Sequence, residues 1–369
     1  MADFHIGTED ILDIGNAYIE DFMPKTWYDA ARKYTKSIFA TYFLQKGRVK
    51  RKTPSEKGTF NIKVGRNEGT RATGFFDKLA PPRTDLFKKG EFYWTWQDSS
   101  FLLDIREPSF QRQGAELEQF DYLKGQEQDM FDGFFEKNDE WLLSLAAAPN
   151  DGEDGHPVPW GLPYMITPST TAEVGRNGQN PSTYDDKYGI DTSLEKYKGY
   201  RNTTFTLSAI SDTDGLAKME KAMRRCDFKS YKKVSPESEP TCDFLILSHP
   251  DWFYDYSTYL KTHNDNVQRD GGKYAAGKSS LAGHVYQGVD WIEVEQFADD
   301  ESLAYDATKP IYGLDLSTIE VCTYGDWFMK KKKAIMQTDA PNTAAIVMDS
   351  GYNIVLRSAR SNFRGRVAA

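Results

Sequence analysis

The feature that most constrains this chain is an amphipathic helical pattern that extends from residue 109 to residue 148. Gly125 and Gly133 weaken such a helix without ending it. At a rise of about 1.5 Å per residue it would span roughly 50 Å, more than the diameter of a small domain. We therefore predict a helix that crosses the whole subunit, with the rest of the chain built along it. The apolar side chains that recur near one face of this helix are Leu117, Phe120, Leu123, Met130, Phe134, Trp141 and Leu145.

The segment before this helix, residues 47–105, is typical of strands and long turns. Residues 59–64 and 92–96 each alternate with a period of two, and glycines and prolines punctuate the stretch between them. The pattern predicts a long, basic, two-stranded hairpin that projects from the rest of the chain. Because a lone hairpin is only marginally stable in water, we expect it to lie on a neighbour.

The charge of the chain is unevenly distributed. The net charge of −9 argues against a nucleic-acid-binding protein. Residues 46–90 nevertheless hold 13 Lys and Arg against four acids, and residues 330–366 hold eight against two. Residues 91–329 carry a net charge of −21. Such blocks are either ordinary solvated surface or a sign that the basic segment of one copy docks on an acidic face of another, which would steer assembly.

The rest of the chain mixes strands and helices. Residues 203–325 are typical of an α/β unit, with a helical stripe from Leu216 to Met223 and a helix that starts at Pro250. Residues 149–200, rich in Pro, Gly, Asn and Thr, predict irregular structure or an exposed insertion. Helices are also predicted over 8–22 and from Pro24 onward. The strands predicted beyond residue 203 are 244–247, 289–294, 311–314, 318–321, 334–338, 343–348 and 352–358.

Length and composition exclude several classes of protein. A chain of 369 residues allows two or three domains, or one scaffold with large insertions. Its apolar runs reach only about eight residues, too short to span a membrane, and the N-terminus lacks a signal-peptide layout. Cys226, Cys242 and Cys322 are too few and too scattered for a disulfide framework, so we expect reduced thiols. The aromatic content of 14% hints at extensive contact between subunits.

One motif suggests an enzyme. Gly272 and Ser279 begin and end a match to the phosphate-binding pattern G-x-x-x-x-G-K-[ST], in which backbone N–H groups and Lys278 would hold phosphates. The segment before it is polar, and only about eight residues follow before Gly288, so neither the strand nor the helix that this site needs is predicted. A surface loop is the favoured interpretation, and a nucleotide-binding enzyme is the alternative.

Other chemistry-bearing groups are weaker. Ser248, His249 and Asp251 are neighbours in sequence, but the members of a catalytic triad meet in space. His263 and Asp265 are two ligands where a metal site needs three or four. We therefore predict no catalytic, cofactor-binding or metal-binding residue, and a chain that is not an enzyme.

The order of these features resembles the major capsid proteins of tailed bacteriophages, which have the Hong Kong 97-type fold. Three short segments are similar to sequences of that family: 243–250, 288–294 and 310–315. The resemblance implies an α+β fold with an N-terminal arm, an extended β-hairpin called the E-loop, a long spine helix in a peripheral domain, and an α/β axial domain. The implied divisions are arm 1–45, E-loop 46–105, spine helix and peripheral domain 106–150, irregular insertion or loop 151–200, axial domain 201–325, and returning peripheral strands 326–369.

The same resemblance implies a function. Copies would self-assemble as hexamers and pentamers into an icosahedral shell around phage DNA, assembled in the bacterial cytoplasm and found in the virion. Implied partners are a portal, a separate scaffolding protein, a decoration protein and non-specifically contacted DNA, with no membrane. An encapsulin-type cargo shell shares the fold and is a further alternative. The candidate contacts between subunits are Arg48, Lys50, Arg51, Lys52, Lys57, Phe60, Arg66, Arg71, Arg83 and Trp94.

Overall fold

The computed structural model places strands and helices in two large sheets and a separate hairpin. The residues it describes are 37–44, 48–63, 87–104, 118–144, 156–169, 171–179, 187–226, 244–263, 284–299, 308–332, 335–336 and 343–367. The predicted helix over 8–22 and the motif at 272–279 lie outside these residues. No helix in the described part of the chain is both long and apolar enough to cross a bilayer.

The elements follow one another in chain order. The strands are β1 Val49–Lys52, β2 Lys57–Lys63, β3 Phe87–Tyr93, β4 Thr95–Asp104, β5 Gly175–Gly178, β6 Asn202–Leu207, β7 Phe244–Ser248, β8 His284–Tyr286, β9 Val289–Glu293, β10 Ile311–Asp315, β11 Ile319–Tyr324, β12 Lys330–Lys331, β13 Ile335–Met336, β14 Thr343–Leu356 and β15 Phe363–Val367. The helices are α1 Glu118–Leu143, α2 Leu162–Met165, α3 Gly215–Arg225, α4 Pro250–His263 and α5 Gln296–Asp299. Short turns of π or 3-10 helix are Phe39–Phe43, Glu195–Tyr200, Leu316–Thr318 and Ala359–Ser361.

The first sheet is built around β14, the longest strand. Its one edge pairs antiparallel with β4 over ten residues, from Thr343 opposite Asp104 to Tyr352 opposite Thr95. The other edge pairs in turn with β13, β12 and β11, and β1 extends the sheet parallel to β11. Helix α1 packs on one face of this sheet, where its Met130 and Phe134 are buried.

A buried polar network fastens α1 to the sheet. Asn138 donates from Nδ2 to Gln97 Oε1 at 2.9 Å, and the Tyr352 hydroxyl lies 3.2 Å from the same oxygen while bonding to Asn138 Oδ1. All three side chains are buried. Burial raises the pKa of Tyr352 well above its ordinary value. Because each group needs the others, the network specifies how the helix sits on the strands.

The second sheet is covered on both faces. Its order is β5-β6-β15-β10-β7-β9-β8. Along β7, Phe244 and Ile246 face the core that α3 and α4 complete, whereas Leu245 and Leu247 face the core shared with the first sheet. Burial on both faces explains the continuous apolar run at 244–247, from which a buried strand was predicted. The stripe on α3 reflects burial of one face of that helix.

Three parts of the chain differ from their sequence predictions. Helix α1 ends at Leu143 rather than at 148, with Ser144 in a bend, and residues 109–117 of the predicted helix lie outside the described residues. The two strands predicted over 343–348 and 352–358 are one strand, because Gly351 leaves room for the Trp96 ring; a Cβ there would lie 2.9 Å from it. The sheets also do not divide at residue 325, since β11 belongs to the first sheet and β15 to the second.

The segment predicted as irregular or exposed, 151–200, is largely irregular where it is described, and part of it is buried rather than exposed. Trp160, Tyr164 and Tyr188 are buried, and their rings meet tilted or edge to face with centres 4.4–5.9 Å apart. They fill the space between the hairpin of β2 and β3 and strand β14, where the Tyr188 hydroxyl accepts from Leu356 N at 3.1 Å. Aromatic area rather than regular structure makes this segment part of the core.

Candidate subunit interface

The hairpin of β2 and β3 has a buried face made of phenylalanines lying over glycines. Phe92 pairs with Gly58 and Phe60 with Gly90 across the ladder. A Cβ on Gly58 would lie 2.0 Å from the Phe92 ring, and one on Gly90 would lie 2.7 Å from the Phe60 ring. The glycines are therefore needed by this packing, and Phe60 meets Tyr188 edge to face at 5.4 Å.

The opposite face of the hairpin is basic and open. Lys63 and Lys89 are exposed, and Phe87 at the described end of β3 is 68% exposed. Lys57 lies 3.7 Å from Glu91 and 4.9 Å from the centre of the Tyr93 ring. The hydrogen bond to Tyr93 raises the pKa of Lys57 above its ordinary value. This face presents cations and an apolar side chain to whatever approaches it.

Two of the predicted contact residues are covered by this chain itself. Phe60 and Trp94 are both buried. The Trp94 indole donates to Ser55 O at 2.8 Å and packs on Phe92 and Tyr324. These two residues fasten the base of the hairpin to the subunit, and their covered rings offer a neighbour little surface.

The basic residues before the hairpin lie on and next to β1. Lys50 and Arg51 are exposed, whereas Lys52 and Arg48 are partly buried. Arg51 pairs with Asp326 and donates from Nε to Gly325 O at 3.2 Å, and Arg48 bonds to Tyr42 O. β1 is an edge strand of the first sheet, so Lys50 and Arg51 are candidates for contact with a neighbour. Arg66, Arg71 and Arg83 lie outside the described residues.

An acidic stripe on α1 is the feature that the sequence analysis did not identify. Glu118–Leu143 contains eight acids and two lysines. Asp129, Asp132, Glu136 and Glu140 follow one another at spacings of three and four, so they share the helix face away from Met130 and Phe134. The spacing of these acids in the sequence could have predicted the stripe, because they recur at helical intervals on the face opposite the apolar residues.

One carboxylate of α1 is buried and holds the segment that precedes β1. Asp139 accepts from Phe39 N at 2.7 Å, at the start of the turn Phe39–Phe43. Burial raises the pKa of Asp139 to about 6, although hydrogen bonds from Phe39, Ser37 and Ile38 act in the opposite direction. A costly buried charge at this position ties residues 37–43 to the long helix.

The candidate chemical groups have structural roles where they are described. Ser248 accepts from the Trp291 indole at 2.6 Å, and Asp251 pairs with Lys309 at 2.5 Å at the start of α4. The buried amine of Lys187 lies 2.9 Å from Thr167 Oγ1 and 3.2 Å from Asn202 Oδ1, and burial lowers its pKa to about 7. Among the described residues, no three His, Cys, Asp or Glu side chains come together as metal ligands would.

Comparison with known proteins identifies the fold. No protein-family model matches the chain, and no curated protein matches it either. A chain of the capsid asymmetric unit of cyanophage A-1(L) superposes with a TM-score of 0.62 and 12% identity, covering 94% of this chain and 98% of that one. This chain has the fold of a tailed-phage capsid protein.

Other solved structures superpose less well. A chain of the capsid of Ralstonia phage GP4 gives a TM-score of 0.49 at 12% identity, covering 94% of this chain and 96% of that one. The SrpI encapsulin complex of Synechococcus elongatus gives 0.47 at 10% identity, covering 95% and 94%. The mixed helix and strand architecture matches the cyanophage chain and thus confirms the family resemblance at the level of the fold.

Proposed function

We propose that this chain is a major capsid protein that self-assembles through hexamers and pentamers into an icosahedral shell enclosing phage DNA. The observation that supports the proposal is the similarity of fold to the cyanophage A-1(L) capsid chain, which extends over nearly the whole length of both chains. The exposed basic face of the hairpin is the surface that such assembly would use.

The elements suggest how the parts of a Hong Kong 97-type subunit map onto this chain. The hairpin of β2 and β3 would be the base of the E-loop within residues 46–105, and α1 would be the spine helix. The first sheet would form the peripheral domain and most of the second sheet the axial domain. Residues 1–45 would be the N-terminal arm.

Charge supports a specific docking mode for the hairpin. Lys63 and Lys89 are exposed on its open face, and Lys50 and Arg51 are exposed nearby along the chain. The acidic stripe of α1 offers the complementary surface on a neighbouring copy. Opposite charges at such a contact steer association more than they stabilise it, so we expect assembly to slow at high salt.

The partners and location follow from the proposed shell. Other copies of this chain are the main partner, with a portal, a separate scaffolding protein and a decoration protein at particular positions. Packaged DNA would be contacted without sequence specificity. The protein would be found in the virion after assembly in the bacterial cytoplasm.

A structural role also accounts for the chemistry better than an enzymatic one. The cyanophage A-1(L) chain, on which this chain superposes over nearly its whole length, belongs to a capsid. The alternative of a nucleotide-binding enzyme depends on the loop that ends at Ser279. It predicts that the purified protein binds ATP and that Lys278→Ala abolishes binding; we expect no binding in either protein.

Negative-stain electron microscopy of the purified full chain, with sedimentation alongside, tests the proposal. We expect shells, tubes, or free hexamers and pentamers. A protein that stays monomeric or dimeric even when co-expressed with a candidate scaffolding protein would contradict the proposal. Closed shells that form alone around protein cargo and contain no DNA would instead indicate an encapsulin-type function.

The role of the basic residues needs a charge-matched comparison. Arg51→Glu combined with Lys52→Glu should strongly reduce the yield of assembled particles while leaving the thermal unfolding of the subunit unchanged. Lys196→Glu combined with Lys198→Glu, on the turn Glu195–Tyr200, makes the same change in net charge away from the proposed interface. Equal yields from the two double variants would remove these residues from the interface.

A further inference from the structure

The first sheet has a long strand, one edge of which is unpaired in the described part of the chain. β4 pairs with β14 over ten residues along one edge. Along its other edge, no strand in the described part of the chain pairs with it. An edge strand of this length exposes a row of backbone N–H and C=O groups that can pair with another strand.

The side chains of β4 on the face away from α1 are unusually apolar for an exposed position. Trp96 is 52% exposed and Leu102 is 55% exposed, and Asp98 and Ser100 lie exposed between them. The alternate residues Gln97, Ser99 and Phe101 face the helix, where Ser99 Oγ donates to Met130 O at 3.2 Å. The strand thus combines an open edge with an uncovered face.

We propose that β4 is a dimerisation strand, which pairs antiparallel with β4 of a second copy about a two-fold axis that passes beside Ser99. In this register Trp96 lies directly opposite the partner's Leu102, and Leu102 lies opposite the partner's Trp96. Asp98 lies opposite the partner's Ser100. The two six-stranded sheets become one continuous sheet, with both long helices on the same side.

The sequence of β4 favours this register over its neighbours. A shift by one residue would turn the uncovered face of one copy onto the helix side of the other, because side chains alternate between faces. A pairing centred on Asp98 would set the two Asp98 carboxylates opposite each other, which is destabilising. A pairing centred on Ser100 would set Asp98 opposite the partner's Leu102. Centring on Ser99 alone joins the exposed apolar residues and separates the carboxylates.

The edge of β4 is self-complementary, which favours a second copy of this chain as its partner. A symmetric contact must be self-complementary, since the same patch is presented by both subunits. β4 satisfies this condition with one apolar pair and one polar pair that each occur twice about the axis. The inference does not depend on the proposed shell, because such pairing can occur in free dimers or between the subunits of a particle.

A pair of introduced cysteines tests both the partner and the register. In the double variant Asp98→Cys with Ser100→Cys, the new thiol at position 98 of each copy would face the new thiol at position 100 of the other. The Cα separation of directly opposed residues is about 4.5–5.5 Å, which is within disulfide range. We expect a covalent dimer on a non-reducing gel after mild oxidation, whether the protein is free or assembled. The two single variants and the parent chain, which keeps its native thiols, should stay monomeric on the gel.

The other outcomes overturn the proposal in distinguishable ways. A double variant that stays monomeric would show that the edge is not used by a second copy. Single variants that dimerise as well as the double variant would show collision rather than register. A cross-link to a different protein would assign the edge to that protein. None of these readings depends on whether shells form by microscopy, so this failure and that of the proposed function are separable.

A charge series gives an independent measurement. Ser100→Asp would place a carboxylate opposite the partner's Asp98 twice per dimer, and we expect about two- to thirty-fold weaker dimerisation by sedimentation. Ser100→Asn has a similar size without the charge and should dimerise as the parent does. Adding Asp98→Lys to Ser100→Asp should restore dimerisation. Equal effects of Asp and Asn at this position, or failure of the rescue, would contradict the register.

Discussion

The two large sheets differ in how much of each the chain itself covers. The second sheet has α3 and α4 on one face and the shared core on the other, and all five residues of β7 and of β10 are buried. In the first sheet, β11 and the C-terminal half of β14 are also buried on both faces, but β4 exposes Trp96 and Leu102 on the face away from α1. A sheet covered on both faces gains its stability within the subunit, whereas an open face and edge leave area for contacts made later.

The largest expected effect comes from placing the same charge in both sheets. Ile246→Asp buries a carboxylate in the second sheet, where Ile246 is fully buried, and should cost more than about 4 kcal/mol of unfolding free energy. Leu102→Asp puts the charge on the open face of β4 and should change stability by less than about 0.5 kcal/mol. Urea unfolding of both variants measures the difference. Similar losses would mean that the open face is covered after all.

The hairpin contains both kinds of surface on one strand. Phe92→Ala removes a fully buried ring that lies over Gly58 and should cost about 3–5 kcal/mol. Phe87→Ala removes a ring from the exposed end of the same strand and should leave the stability of the subunit nearly unchanged. Any effect of Phe87→Ala should appear in assembly instead. Thermal unfolding of the two variants, followed by particle yield, separates packing from contact with a neighbour.

These comparisons also explain how far the sequence could be interpreted. The buried strand β7 was predicted from a continuous apolar run, and the stripe on α3 was predicted because burial there repeats with the period of a helix. The aromatic cluster of Trp160, Tyr164 and Tyr188 was missed because it is buried without any period. The glycines that accept Phe60 and Phe92 were not singled out, since nothing local shows which ring lies over them.

The boundaries of the sheets depend on partners distant in sequence. β15 joins the second sheet by pairing with β6 and β10, a choice that no local pattern records. For the candidate interface, the basic residues of β1 fell in a segment predicted to hold strands and long turns, whereas the covered positions of Phe60 and Trp94 were not foreseen. An exposed aromatic and an anchoring one look alike in sequence, because both alternate with polar residues.

An intermediate effect distinguishes two adjacent carboxylates on α1. Asp139 is buried and Glu140 is exposed. Because the folded-state pKa of Asp139 is raised from 3.8 to about 6, the folded chain binds more protons than the unfolded chain between these values. Its contribution to stability is therefore present below pH 3.8 and is lost as the pH rises through about 6, by on the order of 3 kcal/mol.

Variants at the two positions isolate this contribution. Asp139→Asn cannot ionise, so the stability difference between it and the parent chain should change between about pH 4 and pH 6.5, in favour of the variant at the higher pH. Glu140→Gln removes the neighbouring charge without burial and should show no such change. Urea unfolding across this pH range is the measurement. A constant difference for Asp139→Asn would mean that the carboxylate is not buried in solution.

The smallest expected effect comes from the face of the first sheet that α1 covers. Tyr352→Phe keeps the ring but removes the hydroxyl that bonds to Asn138 and lies near Gln97. Loss of one partner from a buried network should cost about 1–2 kcal/mol, since the amide oxygens are left less well satisfied. Tyr254→Phe, on the exposed side of α4, is the matched control and should be neutral. If Tyr352→Phe were neutral too, α1 would be held by apolar contacts alone. The covered face of the first sheet would then tolerate substitutions as well as its open face does. The two faces would differ in their exposure to solvent, but no polar network would fix the position of α1 on the strands.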